Sequence, residues 1–461
     1  MDVAWLIVDS LSYSATPFAS DAPDTMPRFA ELADSRGVVF DEAYVPGPSS
    51  PSSHSAFFTG KLPSETGMHE ARPYFDSDLR TIAGALSDHR SFMISSNPFI
   101  FNGLDRDFDE TDDLRRGQYK VFEDAGDPEM FAKQHDFDSS LRQMLAFLRS
   151  SGKPVRSLAN GISFKRWQRR ETAEIPKHAA GDTTTYQYAN TINEGVRSFR
   201  DRADGDSFVV ANYMDVHPPL DASDEALERF CPDTPRSELP IGVRGQDVYE
   251  RFHAEDDYDA SDMYDLYKAT IYDVDRKLTP LVEELLDDGT FVVVTADHGI
   301  WFRRQREFDD ERVHVPLVVF APGEDPRRVG HTVNLLALPQ TTMRAVAGND
   351  GGFDGYDLFD VSSDQTSVTE FIHDEDVEGT PVNPEGTDAG RTLYDIAAIR
   401  GDARVEYTGG RFSTVDGKSD TTDDLKRHVE TLLSEHPELG SGGGIEYDDE
   451  VRERLEDFGY L

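Results

Sequence analysis

The chain begins with an apolar run that ends on an acidic residue, Val3-Ala4-Trp5-Leu6-Ile7-Val8-Asp9. Three further apolar runs of similar composition occupy residues 208–214, 291–296 and 315–320. All four are rich in β-branched or aromatic residues and none alternates cleanly with polar ones, which is typical of strands buried on both faces. Helical periodicity lies between them, at residues 26–33 and 262–286. Strands that alternate with helices predict an α/β fold with a doubly wound, mainly parallel sheet flanked by helices.

The sequence also suggests how the chain is divided. We expect a main α/β domain over residues 1–361 and a smaller C-terminal α+β subdomain over residues 392–461. Residues 362–391 lie between them, are rich in Asp, Glu, Gly, Pro and Thr, and are predicted to form an acidic loop or seam. Within the subdomain, short strands are predicted at residues 393–400 and 405–407, and a closing helix at residues 450–461.

The composition excludes several classes of protein. The 461 residues include 89 acidic and 46 basic ones, so the formal net charge is −43. This charge excludes a general nucleic-acid binder, which needs a basic surface, and it resembles the charge of halophilic proteins. The single cysteine, Cys231, excludes a disulfide framework and a cysteine-rich metal site. We find no apolar run long enough to cross a membrane and no signal peptide, so we expect a cytoplasmic protein.

One segment departs from this acidic composition. Residues 139–170 contain eight basic residues and no Asp or Glu. One interpretation is a basic insert, or flap, that lies on the acidic surface of the protein itself. The other is a docking site for an anionic partner, through which residues 139–170 would make peripheral contact with an anionic surface such as lipid headgroups.

Polar residues follow three of the predicted strands at the points where the strands end. Asp9 follows the first run, Asp215-Val216-His217 the second, and Asp297-His298-Gly299 the third. In open α/β sheets, ligands bind outside the carboxyl ends of the strands. Asp9, Asp297 and His298 together offer hard oxygen ligands and one imidazole, which suits Ca²⁺, Mg²⁺, Mn²⁺ or Zn²⁺.

A serine-rich stretch, Ser49-Ser50-Pro51-Ser52-Ser53-His54, supplies a candidate nucleophile. Serine is favoured at the N-cap of a helix and proline at the first helical position. We therefore predict that Ser50 caps a helix that runs to Gly60. The Ser50 hydroxyl would then lie at the positive end of the helix dipole, and His54 would lie one turn away on the same face.

Together, these motifs resemble the sulfatase family, within the alkaline phosphatase superfamily. Residues 6–10 are similar to the opening strand of that family, and residues 50–67 to its nucleophile helix. Residues 295–299 resemble its second metal-binding turn and residues 215–219 its substrate-histidine turn, while residues 313–317 and 454–461 resemble later landmarks. The similarity spans nearly the whole chain, which implies an alkaline-phosphatase-like fold with the sulfatase-like catalytic domain at residues 1–361.

The resemblance implies roles for individual residues. One divalent cation would be held by Asp9, Ser50, Asp297 and His298. Asn97 and His217 would contact the anionic group of the substrate.

Further candidate roles concern catalysis and a second metal. Three histidines could neutralise developing charge or protonate the leaving group, so the candidate catalytic residues are Ser50, His54, His217 and His314. Because some members of the superfamily hold two metals, a second ion bound by Asp215, His217 and His314 is a further hypothesis.

The chain departs from the family motif around its nucleophile. Sulfatases carry an arginine four residues after the nucleophile and convert the nucleophile to formylglycine, but His54 occupies that position here. Conversion to formylglycine is therefore not expected. The alternative alignment, with Ser49 as the nucleophile, restores the proline of the motif at Pro51 but also lacks the arginine. Ser10 stands where a second aspartate is usual.

Three functions remain open from the sequence. The first is metal-dependent hydrolysis of the sulfate ester of a small or glycan-like anionic substrate. The second is hydrolysis or transfer of a phosphomonoester or phosphodiester by the same fold, since an unmodified, metal-activated serine is a competent nucleophile toward phosphate. The third is a catalytically reduced member of the family that binds an anionic ligand.

Overall fold

Two sheets organise the chain in the computed structural model. The structure describes residues 1–20, 23–114, 140–171, 188–245, 259–300, 306–375 and 391–436, together with a few isolated positions. The strands of the larger sheet are β1 (Val3–Val8), β2 (Val38–Tyr44), β3 (Arg90–Ser95), β4 (Glu110–Asp113), β5 (Ser207–Tyr213), β6 (Phe291–Thr295), β7 (Leu317–Phe320) and β8 (Arg327–Asn334).

The larger sheet has eight strands in the order β4-β3-β5-β1-β6-β7-β2-β8. β1 pairs in parallel with β5 and β6, and β3 pairs in parallel with β5. β7 runs antiparallel to its neighbours β6 and β2, whereas β2 and β8 are parallel. The prediction of a mainly parallel sheet is confirmed, and β7 is antiparallel to both of its neighbours.

Twelve α-helices are found among the described residues. They are α1 (Pro27–Arg36), α2 (Ser50–Thr59), α3 (Pro63–Thr66), α4 (Ile82–Ala85), α5 (Ser140–Ser150), α6 (Pro154–Glu171), α7 (Ala189–Arg202), α8 (Asp224–Phe230), α9 (Ser261–Asp287), α10 (Asp310–Val313), α11 (Leu338–Ala347) and α12 (Ser419–Glu435). Short 3₁₀ turns occupy Tyr13–Ala15, Phe99–Phe101, Leu104–Asp107, Leu335–Ala337 and Leu358–Asp360.

The centre of the core lies around β1, whose six residues are all buried. The Trp5 ring packs edge-on against Phe57 and Phe58 of α2, with ring centroids 6.3 and 6.0 Å apart. It also packs against Phe208 of β5 at 5.7 Å. These contacts hold α2 against the middle of the sheet, and they explain why an almost uninterrupted apolar sequence forms β1.

The smaller sheet is antiparallel and has the order β12-β11-β10-β9, formed by β9 (Ser367–Glu375), β10 (Arg391–Arg400), β11 (Ala403–Thr408) and β12 (Arg411–Asp416). Leu425, Val429 and Leu432 of α12 join its apolar core. β9 lies within residues 362–391, which the sequence had suggested to be a loop, so the small sheet begins before residue 392. The closing helix predicted at residues 450–461 lies outside the described residues.

Two compact units make up the chain. One comprises Met1–Asp112 with Thr185–Leu461, and the other comprises Asp113–Thr184. α5 and α6 belong to the second unit, which contains the acid-free segment 139–170. Within the part of the chain that the structure describes, we find no helix with the length and apolar character needed to span a membrane.

Candidate active site

Adjacent strands of the larger sheet bring polar residues to one edge. β3, β5, β1 and β6 are neighbours and run parallel, so their carboxyl ends lie at the same edge. Asp9 directly follows β1, and Asn97 and Asp297 come two residues after β3 and β6. All three side chains are buried. This is the edge at which ligands bind in open α/β sheets.

Ser50 reaches the same edge from the first turn of α2. The helix begins at Ser50, and its N-cap is Ser49, which has extended backbone angles of φ −147° and ψ 164°. The prediction that Ser50 itself caps the helix is therefore wrong by one residue. The helix ends as predicted at Gly60, which has a positive φ of 69° that glycine adopts without a Cβ penalty.

The Ser50 hydroxyl contacts four side chains. Ser50 Oγ donates a hydrogen bond to Asp297 Oδ2 at 2.6 Å, and it lies 3.4 Å from both Asp9 Oδ2 and His298 Nε2. Asn97 Nδ2 donates to Ser50 Oγ at 3.0 Å and to Asp9 Oδ2 at 2.7 Å. We call these five residues the Ser50 cluster.

Ser49, the other candidate nucleophile, contacts a different group. Its Oγ donates to Glu70 Oε1 and lies 3.0 Å from Ser52 Oγ. Ser52 Oγ also donates to Glu70 Oε1, at 2.9 Å. The two alternatives that the sequence left open therefore differ in their surroundings, and the geometry favours Ser50, whose hydroxyl lies among carboxylate and imidazole groups.

Three members of the Ser50 cluster could hold a metal ion. Ligand atoms of Asp9, Asp297 and His298 all lie within 4.8 Å of one another, and all three residues are buried. Among the described residues, no other three His, Cys, Asp or Glu side chains form such a group. Two carboxylates, one imidazole and an adjacent hydroxyl form a donor set that fits a divalent cation.

Hydrogen bonds from the backbone orient these ligands. His298 Nδ1 lies 2.7 Å from the Gly299 carbonyl oxygen, to which it donates, so the lone pair is on Nε2, the nitrogen that faces Ser50. Asp297 Oδ1 accepts from the backbone N–H groups of Ser10 at 3.2 Å and His298 at 2.9 Å. Asp297 Oδ2 therefore remains directed toward the Ser50 hydroxyl.

The two carboxylates have pKa values driven in opposite directions. Burial raises the pKa of Asp297 well above its ordinary value, and the neighbouring Asp9 raises it further. Burial also acts to raise the pKa of Asp9, but nearby His217, His298 and His54 bring it below its ordinary value. Two buried carboxylates at this separation repel each other, and a bound cation would remove that repulsion. Such divergent pKa values are typical of functional sites.

His54 lies behind the nucleophile, with both ring nitrogens engaged. Nδ1 donates to the Ser50 carbonyl oxygen at 3.0 Å, and Nε2 accepts from Asn212 Nδ2 at 3.4 Å. The ring packs against Phe57 at a centroid distance of 4.9 Å. Burial lowers the pKa of His54 to about 4, so the ring is neutral near pH 7. Nδ1 also lies 3.5 Å from Asp297 Oδ2. These contacts suit a positioning role, and the catalytic role of His54 stays a prediction.

A chain of buried hydrogen bonds connects His54 with Asn97. Asn212 Oδ1 accepts from Ser95 Oγ at 2.7 Å, and Ser95 Oγ accepts from the backbone N–H of Asn97 at 2.8 Å. Asn97 Oδ1 accepts from Phe99 N at 2.9 Å, which directs Asn97 Nδ2 toward Ser50 and Asp9. Sequence reasoning missed Ser95 and Asn212. Their one signal was a polar residue near the carboxyl end of a largely apolar strand.

Sequence reasoning also missed a pair of hydrogen bonds of Tyr267 that hold the loop after β1, which we call the Tyr267 clamp. Ser10 has a positive φ of 62°, uncommon for a residue other than glycine. Tyr267 of α9 donates to the Ser10 carbonyl oxygen at 2.6 Å and accepts from the Ser12 N–H at 3.0 Å. This clamp holds the conformation in which Ser10 N–H faces Asp297.

His217 lies beside the Ser50 cluster. Asp215 and His314, the other two residues of the hypothetical second metal site, contact other groups. His217 Nδ1 lies 2.6 Å from the Pro218 carbonyl oxygen, and its ring influences the pKa of Asp9. Asp215 accepts from the backbone N–H groups of Tyr188 and Ala189 at 3.2 Å each, at the start of α7. Its carboxylate also pairs with Lys277.

His314 is sandwiched between aromatic rings. It stacks on Tyr13 at 4.1 Å and on Tyr44 at 4.9 Å, and its Nε2 donates to the Asp41 carbonyl oxygen at 2.8 Å. These contacts of His314 are not with the Ser50 cluster, and its catalytic role stays a prediction. Among the described residues, Asp215, His217 and His314 do not form a group that could hold a metal ion, so the structure does not support the hypothesis of a second metal there.

Comparison with known proteins identifies relatives of this arrangement. No curated protein matches the chain in sequence. The chain is similar in structure to the phosphonate monoester hydrolase SpPMH from Silicibacter pomeroyi, with 17% identity, a TM-score of 0.61, and coverage of 97% of this chain and 96% of that one. For the phosphonate monoester hydrolase of Agrobacterium radiobacter the corresponding values are 14%, 0.59, 95% and 96%.

A third similar structure is that of BT4656 in complex with its substrate D-glucosamine-2-N,6-O-disulfate, with 12% identity, a TM-score of 0.59, and coverage of 95% of this chain and 98% of that one. At these identities the structures establish the fold, which is alkaline-phosphatase-like as predicted. The family is established by sequence, because the family model described as Sulfatase matches residues 2–348. The chain therefore belongs to the sulfatase family and is a hydrolase of the sulfuric ester type.

Proposed function

We propose that the chain is a metal-dependent hydrolase that cleaves the sulfate ester of a small or glycan-like anionic substrate, with Ser50 as the nucleophile. The observation that supports it most directly is the environment of the Ser50 hydroxyl, 2.6 Å from Asp297 Oδ2 and 3.0 Å from Asn97 Nδ2. A similar structure with a sulfated glucosamine as its substrate supports the class of substrate.

The donor set of the Ser50 cluster fits one divalent cation, which Asp9, Ser50, Asp297 and His298 would hold. When bound, such a cation polarises an ester oxygen and favours ionisation of a neighbouring hydroxyl at neutral pH. The buried backbone donors to Asp297 and the fixed tautomer of His298 prepare these ligands in advance.

The residues of the chain would perform the remaining steps. Asn97 donates to Ser50 Oγ, and this holds the hydroxyl while its proton is directed to Asp297 Oδ2. Attack of Ser50 Oγ on sulfur forms a sulfated serine and breaks the bond to the alcohol oxygen of the substrate, which leaves with a proton. His217 would contact the transferred group, and attack of water on sulfur would regenerate the serine.

A second function is supported by the identity of the nucleophile. The encoded residue is serine, and His54 replaces the arginine of the sulfatase motif. Water hydrolyses a phosphorylated serine readily by attack on phosphorus, whereas the corresponding attack on the sulfur of a sulfated serine is slower. Two similar structures are phosphonate monoester hydrolases. The alternative is therefore hydrolysis or transfer of a phosphate or phosphonate ester at the same serine.

Activity measurements with matched serine variants test both functions. The purified chain is assayed with added Ca²⁺, Mg²⁺, Mn²⁺ or Zn²⁺ against aryl sulfate, phosphomonoester, phosphodiester and phosphonate monoester panels. We expect metal-dependent turnover, highest with the sulfate ester, and a loss of at least about a thousandfold in Ser50→Ala. Ser49→Ala is the control and should retain most activity. The nucleophile assignment is wrong if Ser49→Ala loses activity and Ser50→Ala does not.

The metal assignment is tested by a second pair of variants. Asp297→Asn should lose both the bound ion and turnover, because its carboxylate lies in the Ser50 cluster. Asp215→Asn should keep the ion, because the described partners of Asp215 are backbone N–H groups and Lys277. Elemental analysis of both proteins measures the metal content. A chain that binds no metal and turns over no ester would instead be the catalytically reduced, anion-binding member.

The chemical state of residue 50 distinguishes a serine nucleophile from the formylglycine of other sulfatases. Since His54 replaces the motif arginine, we expect Ser50 to remain an unmodified serine. Peptide mass spectrometry of the purified protein measures this directly. An aldehyde at position 50 or 49 would contradict the proposal of a serine nucleophile and would favour the formylglycine chemistry of other sulfatases.

A further inference from the structure

α6 (Pro154–Glu171), in the second unit, presents apolar side chains to solvent. Val155, Leu158 and Ile162 are 81%, 37% and 45% exposed. These positions are three and four residues apart, so they follow one another along a single face of the helix. We call these three residues the α6 stripe.

The opposite face of α6 is polar and buried. Ser157 and Asn160 are fully buried. Asn160 Oδ1 accepts from the backbone N–H of Phe122, and Asn160 Nδ2 donates to the Phe122 carbonyl oxygen, both at 2.9 Å. Ser157 Oγ donates to the Lys153 carbonyl oxygen at 3.0 Å. A helix on the surface of a water-soluble protein normally buries its apolar face and exposes its polar one. The reversed arrangement in this part of α6 points to an apolar partner outside the described fold.

Four exposed basic residues belong to the same segment as the α6 stripe, and we call them its basic border. They are Arg149 of α5, Lys153 just before α6, and Arg156 and Lys165 of α6. Residues 139–170 contain no acidic residue, although the chain as a whole carries a net charge of −43. The partner that complements this border is therefore anionic as well as apolar.

The size of the α6 stripe favours a membrane over a second protein chain. Its three side chains span about 10 Å along the helix axis and expose a few hundred Å² at most. A stable protein dimer needs about 800 Å² from each partner. A helix in the lipid interface gains binding both from its buried apolar area and from attraction of its basic residues to anionic lipid, so a small stripe with basic residues nearby contributes in both ways.

We propose that the α6 stripe and its basic border bind the surface of a membrane that contains anionic lipid. The apolar side chains enter the boundary between headgroups and acyl chains, while the basic side chains contact lipid phosphates. The apolar stripe distinguishes this partner from a hydrated polyanion, which offers phosphate or sulfate groups but no apolar layer.

Vesicle co-sedimentation of the full chain tests the proposal. The probes are vesicles of phosphatidylcholine alone and vesicles of phosphatidylcholine with an equal amount of phosphatidylglycerol. We expect binding to the anionic vesicles, and a partition coefficient at least about tenfold lower in the triple variant Val155→Ser, Leu158→Ser and Ile162→Ser. The control is Phe412→Ser with Val415→Ser, which removes two exposed apolar residues of the small sheet and should leave binding unchanged.

Charge variants distinguish the contribution of the basic border to vesicle binding from that of the α6 stripe. Lys153→Gln with Lys165→Gln should weaken binding at low salt, whereas Arg411→Gln with Lys418→Gln, which removes two exposed charges of the other unit, should not. At about 1 M salt the Debye length is about 3 Å. The first charge variant should then bind like the wild-type chain, while the stripe variant stays weaker. Circular dichroism and turnover of a small ester check that every variant is folded.

Three results would overturn the proposal. The first is equal binding of the wild-type chain and the folded stripe variant to anionic vesicles. The second is an absence of binding by the wild-type chain. The third is self-association of the wild-type chain in sedimentation velocity without vesicles that the stripe variant abolishes, because the stripe would then be an interface between two copies.

Discussion

Replacing His69 with glutamine should make the fold less sensitive to acid. The His69 side chain is 5% exposed, and burial lowers its pKa to about 3, with the nearby Arg72 lowering it further. Its Nδ1 has no hydrogen-bond partner among the described residues. In the unfolded chain the same imidazole has its ordinary pKa of 6.5. Acid therefore protonates His69 in the unfolded state well before it does so in the folded state.

The size of the effect follows from the two pKa values. A histidine whose pKa is lower in the folded state costs no stability above its unfolded pKa, and the cost grows as the pH falls from 6.5 toward about 3. Each pH unit in that window lowers the free energy of unfolding by about 1.4 kcal/mol. Between about pH 7.5 and pH 5, His69 should therefore lower it by about 2 kcal/mol.

Urea denaturation at the two pH values and constant salt measures this difference. Other groups titrate in both proteins, so the quantity of interest is the loss of stability in the wild-type chain minus the loss in His69→Gln. We expect about 2 kcal/mol. His331→Gln is the control, because that side chain is exposed to water in the folded state as it is in the unfolded chain. Equal acid sensitivity of the wild-type chain and His69→Gln would refute the reasoning that burial keeps His69 neutral.

Three further predictions concern the Ser50 cluster. Asn97→Ala should lower kcat about ten- to a hundredfold with little change in KM, because it removes donors to Asp9 and Ser50; a change in KM alone would make Asn97 a substrate contact. If His54 positions Ser50, His54→Asn should lower kcat but keep both limbs of the pH–rate profile, since a positioning residue transfers no proton; loss of a limb would support the predicted catalytic role instead. Tyr267→Phe should lower the melting temperature and the metal affinity together, as measured by calorimetry, because the clamp on Ser10 is lost; unchanged metal affinity would show that the clamp does not support the site.

The strands of the larger sheet were predictable because burial on both faces leaves little room for polar residues. The run at residues 3–8 coincides with β1, and β5 and β6 lie within one residue of the predicted runs. β7 begins two residues later than predicted, at Leu317. The preceding Pro316 has no N–H for the sheet ladder, which accounts for the late start.

The candidate metal ligands of the site were predictable for a related reason. Asp9, Asp297 and His298 interrupt apolar sequence at strand ends, and in a parallel sheet such positions meet at one edge. Which of the other histidines, His217 or His314, lies beside these ligands was not predictable. His217 and His314 both lie next to apolar sequence, but His314 is sandwiched between two tyrosines, and its partner Tyr44 comes from a strand distant in sequence.

The features that could not be predicted depend on hydrogen bonds between residues far apart in the chain. Tyr267 lies in the middle of a long amphipathic helix, where it looks like an ordinary core residue, yet it binds the loop after β1. Asp275 of the same helix accepts from the backbone N–H of Phe29 at 2.8 Å. It thereby provides an acceptor for one of the N–H groups in the first turn of α1, which have no partner within the helix. In both cases a buried polar atom finds a partner more than 200 residues away, which periodicity and motif spacing do not reveal.

The balance of charge around Ser50 bears on which anionic esters suit the site. His54 stands where the sulfatase motif has arginine, and burial lowers its pKa to about 4, so it adds no positive charge near neutral pH. A divalent cation held by the Ser50 cluster would balance the carboxylates of Asp9 and Asp297 and would leave no surplus charge within that group. A sulfate monoester or a phosphonate monoester then brings one negative charge for donors such as Asn97 to stabilise, whereas a phosphomonoester brings up to two at neutral pH. Because uncompensated buried charge is costly, we expect singly charged esters to suit the proposed site better than a phosphomonoester.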